Sequence, residues 1–121
     1  EGTPATLYTY MRRVHVRDGR SYCVIGLYLD ERIFRQAPEQ FRTRAAIPIL
    51  SNMAGVHIKV AHQVLTIGTA DMEVAQMLEI PVGSPVVEVR RIFKDKQGIV
   101  IYLANVIYRG DAIRIEMDLK P

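Results

Sequence analysis

The sequence predicts an α+β fold, in which short helices pack against a largely antiparallel sheet. Segments rich in β-branched and aromatic residues are joined by short turns, and strands joined in this way must pair antiparallel. Apolar residues recur at helical spacing in only two segments. Of the 121 residues, 49% are apolar and 24% are charged, which is the balance of one globular domain with a core.

The first predicted element is a β-hairpin. Leu7 to Val16 is rich in Tyr, Thr and Val, and this composition predicts a strand. Arg17 to Arg20 contains an Asp-Gly pair, which tolerates positive φ and suits a tight turn. Ser21 to Leu29 is then the returning strand.

A loop region and a helix follow the hairpin. Asp30 can cap a short turn that runs through Phe34, and the Ala37-Pro38 pair indicates a loop. Apolar residues at helical spacing predict a helix over Ala45 to Ala54, with Gly55 in the position of a C′ glycine.

The second half of the chain is predicted to be mostly strand. Val56 to Ile67 has enough β-branched residues for a long strand, and Thr69 can cap the helix predicted over Ala70 to Leu78. Pro81 ends that helix. Three further strands separated by turns complete the sheet: Val86 to Lys94, Ile99 to Tyr108 and Ile113 to Leu119.

Two segments of the chain share a pattern. Met11 to Gly19 resembles Val89 to Gly98, since each contains two arginines, an aliphatic residue and a turn. The strand after each turn carries a tyrosine near its end, Tyr28 in one case and Tyr108 in the other. The period is too long for a solenoid. Two related hairpins in one sheet and a chance likeness of two amphipathic hairpins both explain the pattern.

Composition limits the classes of function. Cys23 is the only cysteine, so an intrachain disulfide cannot form and a cytoplasmic protein is predicted. The net charge of +3 is spread along the chain, which favours a solvated surface over a nucleic-acid footprint. The longest apolar run, Ile99 to Ala104, is far too short to cross a bilayer, so no membrane association is expected.

A family resemblance adds to this interpretation. Leu78 to Arg91, which reads LEIPVGSPVVEVRR, and the later Tyr108 to Asp111 closely resemble a signature of the UTRA domain, the C-terminal sensor of HutC-type GntR-family transcriptional regulators. Thr66 to Leu78 is similar to the segment before that signature, and Arg17 to Gly19 to the first hairpin of the family. In this order the segments cover most of Tyr8 to Leu119. We expect the signature residues to define the fold and not to contact ligand.

The resemblance implies a chorismate-lyase-like fold, a pocket for a small-molecule effector, and homodimers that pass the effector state to an N-terminal winged-helix domain. Residues 1–6 are then predicted to be a remnant of a linker, and residues 7–121 the effector-binding and dimerisation domain. The winged-helix domain would lie outside this chain, so contact with DNA is expected only through that domain.

Candidate effector-binding residues follow by position from the resemblance. An anionic group of the ligand would meet Arg13 and His15 on the first strand, and backbone amides around Ala45 to Ile47. The planar guanidinium of Arg13 can donate two parallel hydrogen bonds to a carboxylate or phosphate. His15 is two residues further and shares a face with Arg13. Side chains that merely face solvent on a surface strand are the structural alternative for both.

The positions at which this chain departs from the family pattern indicate what type of effector it binds. Where members that bind sugar phosphates have carboxylates and hydroxyls, this chain has mostly aliphatic residues, at positions matched to Ile25, Ala45, Ile47 and to Tyr102 with Leu103. A polyol would lose its hydrogen-bond partners there, which costs about 1–3 kcal/mol for each unpaired group. We therefore hypothesise an organic acid with an apolar or aromatic body, held by Arg13 and Tyr102 against Ile25 and Ile47.

Other chemistry has little support in the sequence. His57 and His62 are five residues apart in a predicted strand and would point to opposite faces, so no metal site is predicted, and no cofactor motif or catalytic set occurs. Cys23 is interpreted as a core residue. Two alternatives to a sensor stay open: a chorismate-lyase-like enzyme, against which the apolar Ile25 argues, and a dimerisation module without a ligand.

Overall fold

The computed structural model describes residues 2–120, and within them it contains six strands, four α-helices and one short 3-10 helix. The strands are β1 (Thr3–Pro4), β2 (Tyr8–Arg17), β3 (Arg20–Asp30), β4 (Val60–Thr69), β5 (Pro85–Lys94) and β6 (Ile99–Arg109). The helices are α1 (Glu31–Phe34), α2 (Pro38–Thr43), α3 (Ala46–Asn52) and α4 (Met72–Leu78), and Gly110–Ala112 is the 3-10 helix. None of the helices in this part of the chain has the length and apolar character needed to span a membrane.

One sheet organises the chain, with the strand order β2-β3-β6-β5-β4. All four pairs along this order are antiparallel, and only the two-residue β1 pairs in parallel, against the start of β6. The predicted α+β fold with a largely antiparallel sheet is confirmed. Strand β2 lies at one edge of this sheet, and strand β4 lies at the other edge.

The first hairpin turns where its local chemistry predicts. Asp18 has φ 52° and Gly19 has φ 75°, and Arg17 pairs directly with Arg20. Two consecutive residues at positive φ are the requirement of the tight turn that matches the twist of antiparallel strands, and Asp-Gly meets it at low cost.

The two faces of the sheet carry different cores. On one face, α1, α2 and α3 cover a large apolar cluster that includes Leu27, Phe41 and Tyr102. On the other face, α4 covers a smaller cluster that includes Val24 and Leu78. Adjacent residues of a strand therefore point into different environments, because successive side chains alternate between faces.

Three predicted helix features are wrong. The Ala37-Pro38 loop contains the start of α2, and Pro38 occupies its first turn, where the missing N–H has no helical partner to lose. The helix α4 is capped by Asp71, whose side chain accepts from the Val74 amide at 2.8 Å, and not by Thr69, which ends β4. The C-cap of α3 is Met53 in extended conformation, so Gly55 is not a C′ residue.

Two predicted strand features are also wrong. Val56 to Lys59 lie outside the regular strand, which begins at Val60 and leaves His57 outside it. Ile113 to Leu119 form no strand, because every position beside the central strand β6 is already taken and, within residues 2–120, no other strand pairs with this segment.

The repeated Arg-Arg pattern has a limited structural counterpart. Arg13 and Arg91 lie on the first strands of two hairpins and face the same side of the sheet. The tyrosines do not correspond, since Tyr108 faces that side whereas Tyr28 lies on the opposite face beside Leu103.

Candidate ligand-binding cavity

A small cavity lies between the sheet and the start of α3. Its volume is about 150 Å³, and strands β2, β3, β5 and β6 form its floor. The structure brings together all of the residues that the sequence singles out as candidate effector contacts: Arg13, His15, Ile25, Ala45, Ile47 and Tyr102. That they bind an effector stays a prediction.

Several other residues that line the cavity were not predicted from the sequence as site residues. The main ones are Arg91 and Tyr108, with Tyr22, Cys23 and Val106 beside them. As parts of the family signature, Arg91 and Tyr108 are predicted from the sequence to define the fold and not to contact ligand. Strand parity could have identified Tyr108, because it lies six residues after Tyr102 on the same strand and so shares its face. Arg91 could not be placed in this way, since its position depends on pairing with Ala104 across β5 and β6.

Tyr102 is the central polar group of the cavity. Its side chain is 0% exposed, and its hydroxyl has no hydrogen-bond partner within the described residues. The ring stacks on Phe93, with centroids 4.9 Å apart, which fixes its orientation. Burial raises the pKa of the Tyr102 phenol, against the opposing effect of the Arg91 charge. The group is therefore a neutral donor at physiological pH, and an unpaired buried hydroxyl of this kind costs about 1–3 kcal/mol.

Arg13 reaches the cavity from the edge strand β2. Its guanidinium donates to the carbonyl of Arg44, which is the C-cap of α2, and contacts the Met11 sulfur at 3.4 Å. Burial lowers the pKa of Arg13, although a guanidinium remains charged near neutral pH. Arg13 therefore connects the cavity with the junction between α2 and α3.

Arg91 reaches the cavity from β5. Its Nε donates to the Gln63 amide oxygen at 2.8 Å, and its Nη2 lies 3.5 Å from the Tyr108 hydroxyl. These contacts orient the guanidinium without neutralising it. Among residues 2–120, neither Arg13 nor Arg91 has a carboxylate within ion-pair distance, and the lining of the cavity contains no Asp or Glu.

The charge of the cavity therefore favours an anion. Two guanidinium groups without a carboxylate share a space of about 150 Å³, and guanidinium pairs with carboxylate or phosphate through planar hydrogen bonds. The remaining wall is largely aliphatic, formed by Ile25, Leu27, Ile47 and Val106. An engineered apolar cavity of about 150 Å³ binds benzene, so one ring with an acid group is the matching size.

The other features of the site give no support to catalysis. Cys23 is buried, and burial raises the pKa of its thiol, so the thiolate needed for nucleophilic attack is disfavoured. In the portion of the chain that the structure describes, no group of His, Cys, Asp and Glu is arranged to hold a metal ion.

Comparison with known proteins agrees with this description. An antiparallel sheet with helices on both faces and a small cavity on one of them suits a domain that binds a small molecule. The chain belongs to the UTRA domain family, whose model matches residues 3–114. This confirms the family predicted from the sequence. No curated protein matches the sequence.

Solved structures with the same fold include several regulators. A possible transcriptional regulator YydK from Bacillus subtilis is 18% identical with a TM-score of 0.79, and the match covers 93% of this chain and 50% of that one. A GntR-family regulator from Enterococcus faecalis is 19% identical with a TM-score of 0.79, covering 93% and 81%. The effector domain of PhnF from Mycobacterium smegmatis is 19% identical with a TM-score of 0.76, covering 94% and 70%. At these identities the likeness concerns the fold, and the chain spans half the length of the YydK structure.

Proposed function

We propose that this chain is the effector sensor of a bacterial transcriptional regulator of the GntR type, and that its effector is a small organic acid with an apolar or aromatic body. The observation that carries the proposal is the Tyr102 hydroxyl, buried without a hydrogen-bond partner among the described residues, in a cavity lined by Arg13 and Arg91. A buried polar group without a partner is rare in folded proteins, and a ligand oxygen would satisfy it.

In the proposed complex the carboxylate of the effector lies between the two guanidinium groups. It accepts hydrogen bonds from Arg13 and Arg91, and an oxygen of the ligand accepts one from the Tyr102 hydroxyl. The body of the ligand packs on the aliphatic wall near Ile25 and Ile47. Apolar contact supplies affinity, and the few polar groups supply orientation, which is the usual division in small-molecule sites.

A sugar phosphate fits this cavity poorly. Ile25, Ala45 and Ile47 have no side-chain donors or acceptors for hydroxyl groups. The helix α3 has only seven residues and therefore a small dipole, so we assign the charge of the anion to the arginines and not to the helix amides.

Transmission of the signal begins at Arg13. Its bond to the Arg44 carbonyl holds the junction of α2 and α3 against β2, and an effector carboxylate would compete for the same guanidinium. Release or tightening of this junction would favour one arrangement of a homodimer over another. A winged-helix domain attached before the sensor would bind its operator in only one of them, so effector and DNA affinity would be coupled reciprocally.

The first experiment compares ligands by thermal shift. Benzoate, phenylacetate and hexanoate are the expected stabilisers, benzamide is the neutral control of benzoate, and glucosamine 6-phosphate represents sugar phosphates. A ligand at about 100 times its Kd stabilises the fold by about 2.7 kcal/mol, which a melting curve resolves. Stabilisation by the sugar phosphate alone, or equally by benzamide and benzoate, would contradict the proposed effector.

A second arm of the same experiment addresses the enzyme alternative. Catalysis on chorismate needs an acid positioned over the substrate, and the cavity lining has no carboxylic acid. Chorismate incubated with the protein is expected to remain unchanged beyond its rate of spontaneous decay. Accelerated formation of 4-hydroxybenzoate and pyruvate would establish an enzyme instead.

A further inference from the structure

One histidine lines the cavity beside its arginines. His15 lies on β2 two residues after Arg13, so the two side chains share a face of the strand and both reach the cavity. Histidine is the side chain that ordinarily changes its charge between about pH 5 and 8. Within residues 2–120 the His15 imidazole makes no hydrogen bond, and its ring contact is with Tyr22, with centroids 6.1 Å apart. The ring nitrogens are therefore available to a ligand.

An irregularity in the strand pairing shapes this end of the cavity. His15 pairs with Cys23 and Val16 pairs with Ser21, so Tyr22 is an extra residue on β3. Such bulges redirect side chains and are common next to functional sites. Here Tyr22 and Cys23 are consecutive, yet both line the cavity. The extra residue thus places an aromatic ring beside the imidazole and closes the cavity at His15.

The groups that face His15 are cationic or neutral. On its own strand, Arg17 holds its guanidinium 4.9 Å from the centre of the Tyr22 ring. The helix α3, which covers the cavity, has no titratable side chain. The titratable groups that line the cavity with His15 are Arg13 on β2, Tyr22 and Cys23 on β3, Arg91 on β5, and Tyr102 and Tyr108 on β6. None of them is a carboxylate, so the lining supplies no negative charge to favour a protonated imidazole.

The charge that suits His15 therefore depends on the ligand. Without an anion, a protonated imidazole would add a cation to a cavity that already contains two guanidinium groups, and like charges disfavour the charged form. A bound carboxylate reverses this effect, because an opposite charge within about 4–6 Å favours the charged form. If the anion favours the protonated imidazole, linkage requires that its binding takes up a proton.

We propose that His15 couples effector binding to proton uptake, so that the sensor binds an acid more tightly at mildly acidic pH than at alkaline pH. This inference rests on the proposed function, since it uses the same cavity and the same anion. The protonated imidazole would donate a hydrogen bond to the carboxylate that Arg13 also binds. Hydrogen bonds from charged donors are about twice as strong as those between neutral groups. The domain would thus respond to the concentration of its effector and to pH together.

Isothermal titration measures the proton directly. Benzoate is titrated into the 121-residue chain at about pH 6.5 in two buffers that differ in ionisation enthalpy, and the difference in observed enthalpy gives the number of protons taken up. We expect uptake of a fraction of one proton for each benzoate. We also expect the Kd to rise about tenfold between about pH 5.5 and about pH 8.5. A carboxylic acid of ordinary strength stays ionised over this range, so the ligand does not supply the effect.

Two variants at position 15 separate this role from a structural one. His15→Gln keeps a hydrogen-bonding side chain that does not titrate, so its Kd should equal the parent's alkaline value at every pH. His15→Lys carries a fixed charge, so its Kd should stay near the parent's acidic value. The matched control is His57→Gln with His62→Gln, which removes the other two of the three histidines. His62 lies on the opposite face of the sheet, so this control should take up the same fraction of a proton as the parent.

The outcomes distinguish this inference from the proposed function. Benzoate binding without proton uptake, or uptake that persists in His15→Gln, overturns the role of His15 and leaves the proposed function standing. Absence of binding by benzoate, phenylacetate and hexanoate at every pH contradicts both. Melting curves show whether each variant is folded, and His15→Asn replaces His15→Gln if the latter does not fold.

Discussion

Arg13 and Ile25 face each other across β2 and β3, so a cationic and an aliphatic side chain enter the cavity as direct cross-strand neighbours. Arg91 enters from β5, on the other side of the central strand β6. The site is thus assembled from strands that are distant in sequence, and its cations are held on the sheet itself. Binding groups on strands are positioned more rigidly than groups on loops.

Neutralising either cavity arginine should weaken the binding of an acid. Arg13→Gln and Arg91→Gln keep a polar side chain but remove the charge, and hydrogen bonds to charged groups contribute about 1.5–3 kcal/mol, which corresponds to about tenfold or more in Kd. Isothermal titration with benzoate measures the change. Arg12→Gln is the control, since Arg12 pairs with Glu73 on the opposite face of the sheet at 2.6 Å. Equal losses in all three variants would indicate a general effect of surface charge and contradict the assigned roles.

Tyr102→Phe should change stability and binding in opposite directions. The substitution removes a buried hydroxyl that has no partner in the described residues, so the unliganded protein is expected to gain about 1 kcal/mol in its free energy of unfolding. The same change removes a proposed donor to the ligand and should raise the Kd for benzoate. Urea unfolding and titration measure the two effects. Tyr10→Phe, at a side chain 52% exposed, is the control for loss of a tyrosine hydroxyl. A destabilised Tyr102→Phe protein would show that the hydroxyl has a structural partner.

The same tyrosine predicts a dependence of stability on alkaline pH. Burial raises the pKa of Tyr102 above its ordinary 10.0, so the folded protein keeps the phenolic proton at pH values where the unfolded chain releases it. The folded state then binds more protons, and the free energy of unfolding must fall as pH rises above about 10. Tyr102→Phe lacks this titration. Urea unfolding at about pH 8 and about pH 10.5 should therefore show the variant gaining stability relative to the parent at the higher pH. An unchanged difference between the two proteins would argue that Tyr102 ionises as freely as in the unfolded chain.

Local signals in the sequence predicted much of the fold. The Asp-Gly pair identified the first turn, because positive φ at two consecutive positions is a local requirement. The segment Ile113 to Leu119 shows where local signals are not sufficient, since it forms no strand. Its alternation predicts a strand, but a strand also needs a neighbour with unpaired backbone groups, and pairing is a property of the whole sheet. The helix α2 was missed because Pro38 indicates a loop as readily as a first helical turn.

The candidate cavity was predicted in part. Positions carried over from the resemblance placed Arg13, Ile25 and Tyr102 around one space, and the structure places them there. Arg91 was not foreseen as a cavity residue, because its position follows from the register between β5 and β6, which the sequence does not specify locally. The hydrogen-bond state of the Tyr102 hydroxyl also depends on all surrounding elements, so only a structure reveals that it has no partner among the described residues.

A carboxylate introduced at position 25 should abolish acid binding. Ile25 pairs directly with Arg13 across the strands, so the side chain of Ile25→Glu can form an ion pair with the guanidinium and occupy the space of the effector's carboxylate. Cross-strand neighbours lie about 4.5–5.5 Å apart at Cβ, within reach of a glutamate. The side chain of Ile25→Gln has nearly the same shape as that of Ile25→Glu but carries no charge, so Ile25→Gln should weaken benzoate binding much less than Ile25→Glu. Titration of both variants with benzoate measures the difference, and melting curves show whether each is folded. Equal affinity in the two variants would place the effector's anionic group away from Arg13, and the binding mode proposed here would have to be abandoned.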